Sequence, residues 1–330
     1  MYRHLAAVCV GALLLACGCA RKEPAATAPR PALRKVVFQT DWFPQAEHGG
    51  YYQALAKGFY AEAGLDVEIL PGGPNSSISL KVAKGDADFG MNRSDNVIAF
   101  ASRGLPLVMV AATFQHDPQA LMVRESSPVK SLADLAGRTV TANVGMTWIP
   151  YVQKKYGITF SLTPNSFGLA NFWGDPNAIQ QCVVTNEPFF AHQRGVPVRT
   201  LLLADSGYDC YHVVFSRREF VRQSPDVVRA FVAASIRGWD DYLDGDPAPA
   251  DQLILARHPQ ASRELLDFSR REMIARGFVR GDRARGEEIG RLSLARIGEE
   301  IETLRGLNVL EAPLTAAAVA TAEFLPPAGR

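Results

Sequence analysis

The sequence predicts an α/β protein of two units flanking a cleft, followed by a helical C-terminal region. Three observations predict it. Apolar, β-branched runs alternate with short stretches of helical spacing, first over 35–113 and again over 121–216. From 224 onward only helical periodicity remains. Once an N-terminal export segment is set aside, about 300 residues are left, enough for two lobes of ordinary size. Such alternation implies parallel sheets covered by helices.

The elements follow in order. Residues 35–40 (K-V-V-F-Q-T) form a strand, 50–63 a helix stopped by Gly64, and 65–70 (L-D-V-E-I-L) a half-exposed strand. A P-G-G-P-N-S-S turn leads into a helix over 78–84 that Gly85 stops. A short strand at 88–91 precedes a helix at 95–103, and 107–113 (L-V-M-V-A-A-T) is apolar throughout, as in a strand buried on both faces. The second unit gives strands at 121–124, 139–142, 158–162, 181–185, 198–203 and 213–216. Helices fall at 131–135, at 147–156 and from 187. The tail predicts helices over 224–243, 251–257, 262–276 and roughly 283–304.

The chain opens M-Y-R-H and then runs apolar to Ala16, too briefly for a permanent membrane span. The run ends L-L-A-C-G-C at 14–19, which resembles a bacterial lipobox. Residues 1–16 are therefore expected to be a lipoprotein signal peptide, with Cys17 lipidated and Cys19 the weaker candidate. An ordinary signal peptide is the alternative. Residues 17–34, rich in Ala and Pro, are expected to be a flexible tether. The protein would then sit on the periplasmic or outer face of a membrane, anchored by lipid.

With 35 basic and 34 acidic residues the formal net charge is +1, and no segment concentrates Lys and Arg among aromatics. Nucleic-acid binding has no support. Cys182 and Cys210 remain beyond the N-terminal segment. An oxidising compartment would permit them to pair, while two separate buried thiols is the simpler reading.

Ligands of such sheets sit outside the carboxyl ends of the strands, which points to four loops. The first, 41–52, crowds Trp42, Phe43, His48, Tyr51 and Tyr52 around Gly49 and Gly50. Aromatic rings beside bare backbone suit a flat, uncharged ligand. Trp42 either stacks on its ring or plugs the sheet edge. The second loop, 92–96, offers Arg93, Ser94 and Asp95. Ser94 or Asp95 would cap the next helix, and Arg93 would hold an anionic group or pair with Asp95. The third, 143–148, has Gly145 and Thr147 at a helix N-terminus and Trp148 either facing Trp42 or packed in the core. In the fourth, 185–190, Pro188 suits the first helical turn and puts Glu187 at the N-terminus. Its carboxylate is favoured there by the helix dipole and could also accept N–H donors of a heterocycle.

No catalytic constellation is legible. The six histidines are scattered, and there is no metal-ligand spacing, phosphate loop or G-x-S-x-G. Neither a metal nor a cofactor is expected.

The stretch D-W-F-P-Q-A-E-H-G-G-Y-Y-Q-A-L-A-K-G-F-Y-A-E-A-G-L-D-V-E-I resembles the opening of ABC-transporter substrate-binding proteins of the thiamine pyrimidine-precursor, alkanesulfonate and nitrate group. So do K-V-A-K-G-D-A-D-F-G-M at 81–91, S-L-A-D-L-A-G-R-T-V at 131–140 and E-F-V-R-Q-S-P-D-V-V-R-A-F-V-A-A at 219–234. The D-W-x-P opening and the N-E-P motif look nearest the pyrimidine-precursor binders. The resemblance implies a type 2 periplasmic-binding fold, two α/β lobes around a ligand cleft, closing by a hinge. Lobe one would be 36–122 plus 212–330, and lobe two 123–211. It also implies a monomer that is not an enzyme, captures a small aromatic heterocycle and delivers it to permease and ATPase subunits. Trp42, Tyr51 and Glu187 carry over best. Asp41 stands where those binders often have Asn, and A-E-H-G-G where they often have N-H-T-G, so the ligand itself stays open. The alternatives are a pyrimidine-synthase-type enzyme of thiamine biosynthesis, whose cysteine run is reduced here to Cys210, and a sensory ligand-binding module.

Overall fold

The computed structural model describes residues 32–74 and 76–327. The expected signal segment, Cys17, Cys19 and the tether up to residue 31 lie outside the described residues. Among the described residues ten strands form two five-stranded sheets: β1 Arg34–Gln39, β2 Leu65–Leu70, β3 Phe89–Arg93, β4 Leu107–Phe114, β5 Gln119–Arg124, β6 Thr139–Ala142, β7 Ser161–Pro164, β8 Gln180–Val183, β9 Val198–Leu202 and β10 His212–Arg217. The first sheet runs β2-β1-β3-β10-β4 and the second β7-β6-β8-β5-β9.

The sheets are mixed rather than parallel. β1 is parallel to β2 and β3, but β10 is antiparallel to both β3 and β4. β5 is likewise antiparallel to β8 and β9. The connectivity explains this. The chain passes from the first sheet to the second after Phe114 and returns before His212. His212 pairs with Arg93 and Phe114, the last residues of β3 and β4. Gln119 pairs with Val183, the last residue of β8. Both crossing strands therefore start at the carboxyl ends of their neighbours and run away from them.

Aromatic packing supports the first sheet. Phe38, Tyr51, Phe89, Phe231, Trp239 and Tyr242 lie in one buried cluster between the sheet and the helices Gly49–Ala56 and Pro225–Asp244. The long helix buries Val228, Phe231, Val232, Ser235, Trp239 and Tyr242, one face at helical spacing. Burying each large apolar side chain contributes about 1.5–3 kcal/mol. A Cβ on Gly238 would stand 2.2 Å from the Gly50 carbonyl oxygen, so this crossing needs bare backbone. A second cluster, with Val97, Met109, Phe215, Ile297 and Ile301, covers the other face. The second sheet has its own core around Leu121, Val140, Trp148 and Val152. All eight residues of β4 are buried, as its unbroken apolar run predicts.

Two helices depart from the bounds that periodicity implies. The first breaks at Gly58, whose φ of 76° is left-handed, and resumes at Phe59–Glu62. The last expected helix, 283–304, begins only at Leu294: Arg283–Arg285 is a 3-10 turn followed by Gly286 at φ 75°, and the helix Leu294–Gly306 is capped by the Ser293 hydroxyl. Between them Gly290 bridges Ala112 of β4. That segment serves the sheet, so its apolar residues are not a helical stripe. Among the described residues no helix is long and apolar enough to cross a membrane. Cys182 and Cys210 are separate buried thiols.

Candidate ligand-binding cleft

A cleft opens at the carboxyl ends of the strands, between the two sheets. Asp41, Trp42, Glu47 and Arg93 line it from the first sheet, and Asn143, Phe167 and Glu187 from the second. The crossing strands supply Gln119 and His212.

The loop after β1 is held from behind. The Gly72 N–H donates to the Trp42 carbonyl at 2.9 Å, and a Cβ on Gly72 would meet the Asp41 backbone at 2.5 Å. Trp42 projects beside Phe43, at 5.6 Å between ring centroids, and meets Phe167 of the second sheet at 5.1 Å. His48 is buried behind the loop with its Nε2 2.8 Å from Asp41 Oδ1. Burial opposes ionisation of Asp41, but the His48 hydrogen bond and nearby imidazole charge outweigh it and hold the carboxyl below its usual range.

Arg93 lies almost fully buried at the floor. Its guanidinium meets Asp95 at 3.0 Å and Asp117 at 3.3 Å, and donates to Gln119 Oε1. Burial disfavours its charge, yet Asp117 and Asp95 keep it firmly protonated. Asp95 also accepts hydroxyl donors from Tyr208, at 2.8 Å, and from Thr147. Ser94 accepts the Tyr211 N–H and donates to Glu300. Neither Ser94 nor Asp95 stands at the N-cap position, which is Arg93, although Asp95 Oδ1 accepts the Asn96 N–H of the first turn at 2.8 Å. They are the first residues of Ser94–Ser102, and their side chains also tie β3 to the returning chain.

Asp95, Cys210 and Glu300 bring three ligand-type atoms within 4.8 Å of one another. A cation is poorly served there. The Arg93 guanidinium already sits on Asp95 and 3.5 Å from Cys210 Sγ. Burial pushes the thiol up and pushes Glu300 to about 7.

Opposite Arg93, Glu187 begins the helix Glu187–Gln193 and accepts the Val183 N–H at 2.8 Å. Burial pushes its carboxyl up to about 7, with a further contribution from Glu47. Glu47, also raised by burial, accepts a hydrogen bond from Thr185.

Trp42, Arg93 and Glu187 thus share one cleft wall to wall, while five other expected residues stand elsewhere. Tyr51 is fully buried, its hydroxyl 2.9 Å from Thr113 Oγ1, because the helix Gly49–Ala56 turns that face into the core. Gly49 and Gly50 do not offer backbone to a ligand, since Tyr242 and Trp239 occupy the space above them. Trp148 is fully buried against Phe160, at 6.2 Å, and does not face Trp42. His48, Ser94 and Asp95 act through Asp41, Glu300 and Arg93.

Sequence reasoning passed over Glu47 and Phe167. Glu47 was visible inside the first loop. Phe167 follows β7, a polar edge strand whose true end, Pro164, lies beyond the expected 158–162.

A family model described as NMT1/THI5 like matches residues 45–250. The chain belongs to this family. Among relatives of this NMT1/THI5-like protein is the riboflavin-binding protein RibY of Chloroflexus aurantiacus, 26% identical over 92% of this chain and 90% of that protein. The formylaminopyrimidine-binding protein of Halalkalibacterium halodurans is 26% identical over 74% of this chain and 77% of its own length. In three dimensions the chain is similar to a periplasmic sulfonate-binding protein SsuA of Methylobacillus flagellatus, with TM-score 0.64 and 15% identity over 89% and 93% of the two chains. The NMT1/THI5-like chain therefore has the periplasmic-binding-protein fold, with two α/β lobes and a cleft.

Proposed function

We propose that this protein is the substrate-binding component of an ABC importer and captures a small, uncharged aromatic heterocycle, a thiamine pyrimidine precursor or a similar ring. One observation carries the choice of ligand. The cleft's buried cation, Arg93, is already neutralised by Asp95 and Asp117, whereas Trp42, Glu47, Glu187 and several carboxamides face the open space. A sulfonate or phosphate would find no free charge there and would meet carboxyl groups on both walls. A ring with N–H donors finds an aromatic face and acceptors.

The mechanism is closure. The 36–122 plus 212–330 lobe and the 123–211 lobe each hold part of the ligand, and the closed form is what the permease receives. Differential affinity for the closed form drives the shift. The protein works as a monomer and performs no reaction on its ligand. Lipid on Cys17 holds it at the periplasmic face of the membrane, which mass spectrometry of the wild-type protein and a Cys17→Ser variant would check.

A thermal-shift screen over aminopyrimidines, flavins, alkanesulfonates, nitrate and phosphate esters tests the ligand class. Stabilisation by an uncharged heterocycle is expected. Stabilisation by sulfonates or nitrate alone would refute it.

A further inference from the structure

Phe167 combines three features that core packing does not account for. Its ring is 52% exposed although large and apolar. Its backbone φ is 59°, and among the described residues only Asn308 shares a positive φ without being glycine. An aromatic residue in the left-handed region is strained, and such strain persists where the surroundings enforce it. The surroundings here are specific. Asn165 Oδ1 accepts the Phe167 N–H at 2.9 Å and the Gln180 side-chain amide at 3.2 Å, and the Asn165 N–H donates to the Ala142 carbonyl at 3.1 Å. The loop is thus tied to β8 and β6, and the ring is held out from the second sheet into the cleft.

There it meets Trp42, which comes from the first sheet. The two rings touch at 5.1 Å with their planes tilted by 45°, neither stacked nor edge-on. Phe167 also stands between two neighbouring cavities. One holds Trp42 and Arg93, and the other holds Trp173, Phe190 and Arg194. A ring held at the junction of two cavities, imperfectly packed on an aromatic partner from the opposite lobe, admits a plane once the two lobes part, since contact at 5.1 Å leaves no gap between the rings.

We propose that Phe167 is the second aromatic wall of the site: the ligand's ring inserts between Trp42 and Phe167, and each lobe contributes one face. This rests on the heterocycle reading above. It adds that the ligand must be planar on both faces, because a puckered or branched ring would contact only one wall.

The test titrates riboflavin and the formylaminopyrimidine into the wild-type protein and into Phe167→Ala, Phe167→Leu and Phe167→Tyr variants. Melting temperature is recorded in parallel to show that each variant is folded. If the wild type binds either probe, Phe167→Ala and Phe167→Leu should weaken it by about tenfold or more, while Phe167→Tyr stays close to wild type. Leucine separates the flat ring from mere apolar bulk. Wild-type binding with unchanged affinity in Phe167→Ala would overturn the assignment of Phe167 and leave the heterocycle reading standing. A wild type that binds neither probe, while an alkanesulfonate stabilises it, would overturn both.

Discussion

Glu47 accepts a hydrogen bond from the hydroxyl of Thr185, linking the loop after β1 to the loop after β8 across the cleft. The contact brings the Glu47 carboxyl, from the first sheet, towards Glu187 of the second, and burial raises both. Two like-charged groups, one from each sheet, cannot both ionise cheaply at this distance from water. Burial is the main cause for each, with a smaller push of Glu47 on Glu187, and raised carboxyls favour a ligand that brings hydrogen-bonding groups.

A pH dependence follows. Burial pushes Glu187 and Glu300 up to about 7, from an ordinary carboxyl value of 4.5. Between those values the native protein binds more protons than the unfolded chain, so stability falls as pH rises through this window. Melting temperature should drop between pH 5 and pH 7.5. Glu187→Gln keeps an oxygen for the Val183 N–H and should show a smaller drop. An identical drop in the variant would mean that Glu187 is ionised throughout.

Trp42→Ala should weaken binding of an aromatic heterocycle by about 1–3 kcal/mol, the scale of a lost aromatic anchor. Its melting temperature should change little, because Trp42 is only half-buried and packs on Phe43 and Phe167 at the rim. Calorimetric titration and a melt on the same sample separate the two effects.

Gly50→Ala should be severely destabilising. In an open helix this change would add stability through propensity, by up to about 1 kcal/mol. Here the new methyl would lie 2.2 Å from the Trp239 ring, which is fully buried and has nowhere to go. Overpacking of this kind costs about 1–3 kcal/mol or more. Chemical denaturation gives the sign, and a stability gain would contradict the packing described.

Tyr51→Phe should leave ligand affinity unchanged and cost roughly 1 kcal/mol of stability, since it strips the Thr113 hydroxyl of a buried partner. A loss of affinity with unchanged stability would instead return Tyr51 to the site.

The three cleft residues legible in advance, Trp42, Arg93 and Glu187, sit at the ends of strands whose composition announces them. Where a side chain sits in the first turn of the following helix, residue type alone leaves its direction open. Tyr51 and Trp148 have the residue type of ligand contacts, but helix rotation decides which face a residue presents. Arg93 illustrates the other limit. Its pairing with Asp95 was visible locally, while its second carboxylate, Asp117, arrives on the chain that crosses between the sheets.

The α/β alternation, the wholly buried β4 and the loops that gather at strand ends are legible in the order of residues alone, because periodicity and turn chemistry act over a few residues. That the crossing strands run antiparallel, that Gly49 and Gly50 serve packing under Tyr242 and Trp239, and that Arg93 is neutralised emerges only when the chain is folded. Those outcomes depend on residues far apart in the chain meeting at one place. The same holds for Phe167, which a polar edge strand hides in the sequence and which the fold sets against Trp42.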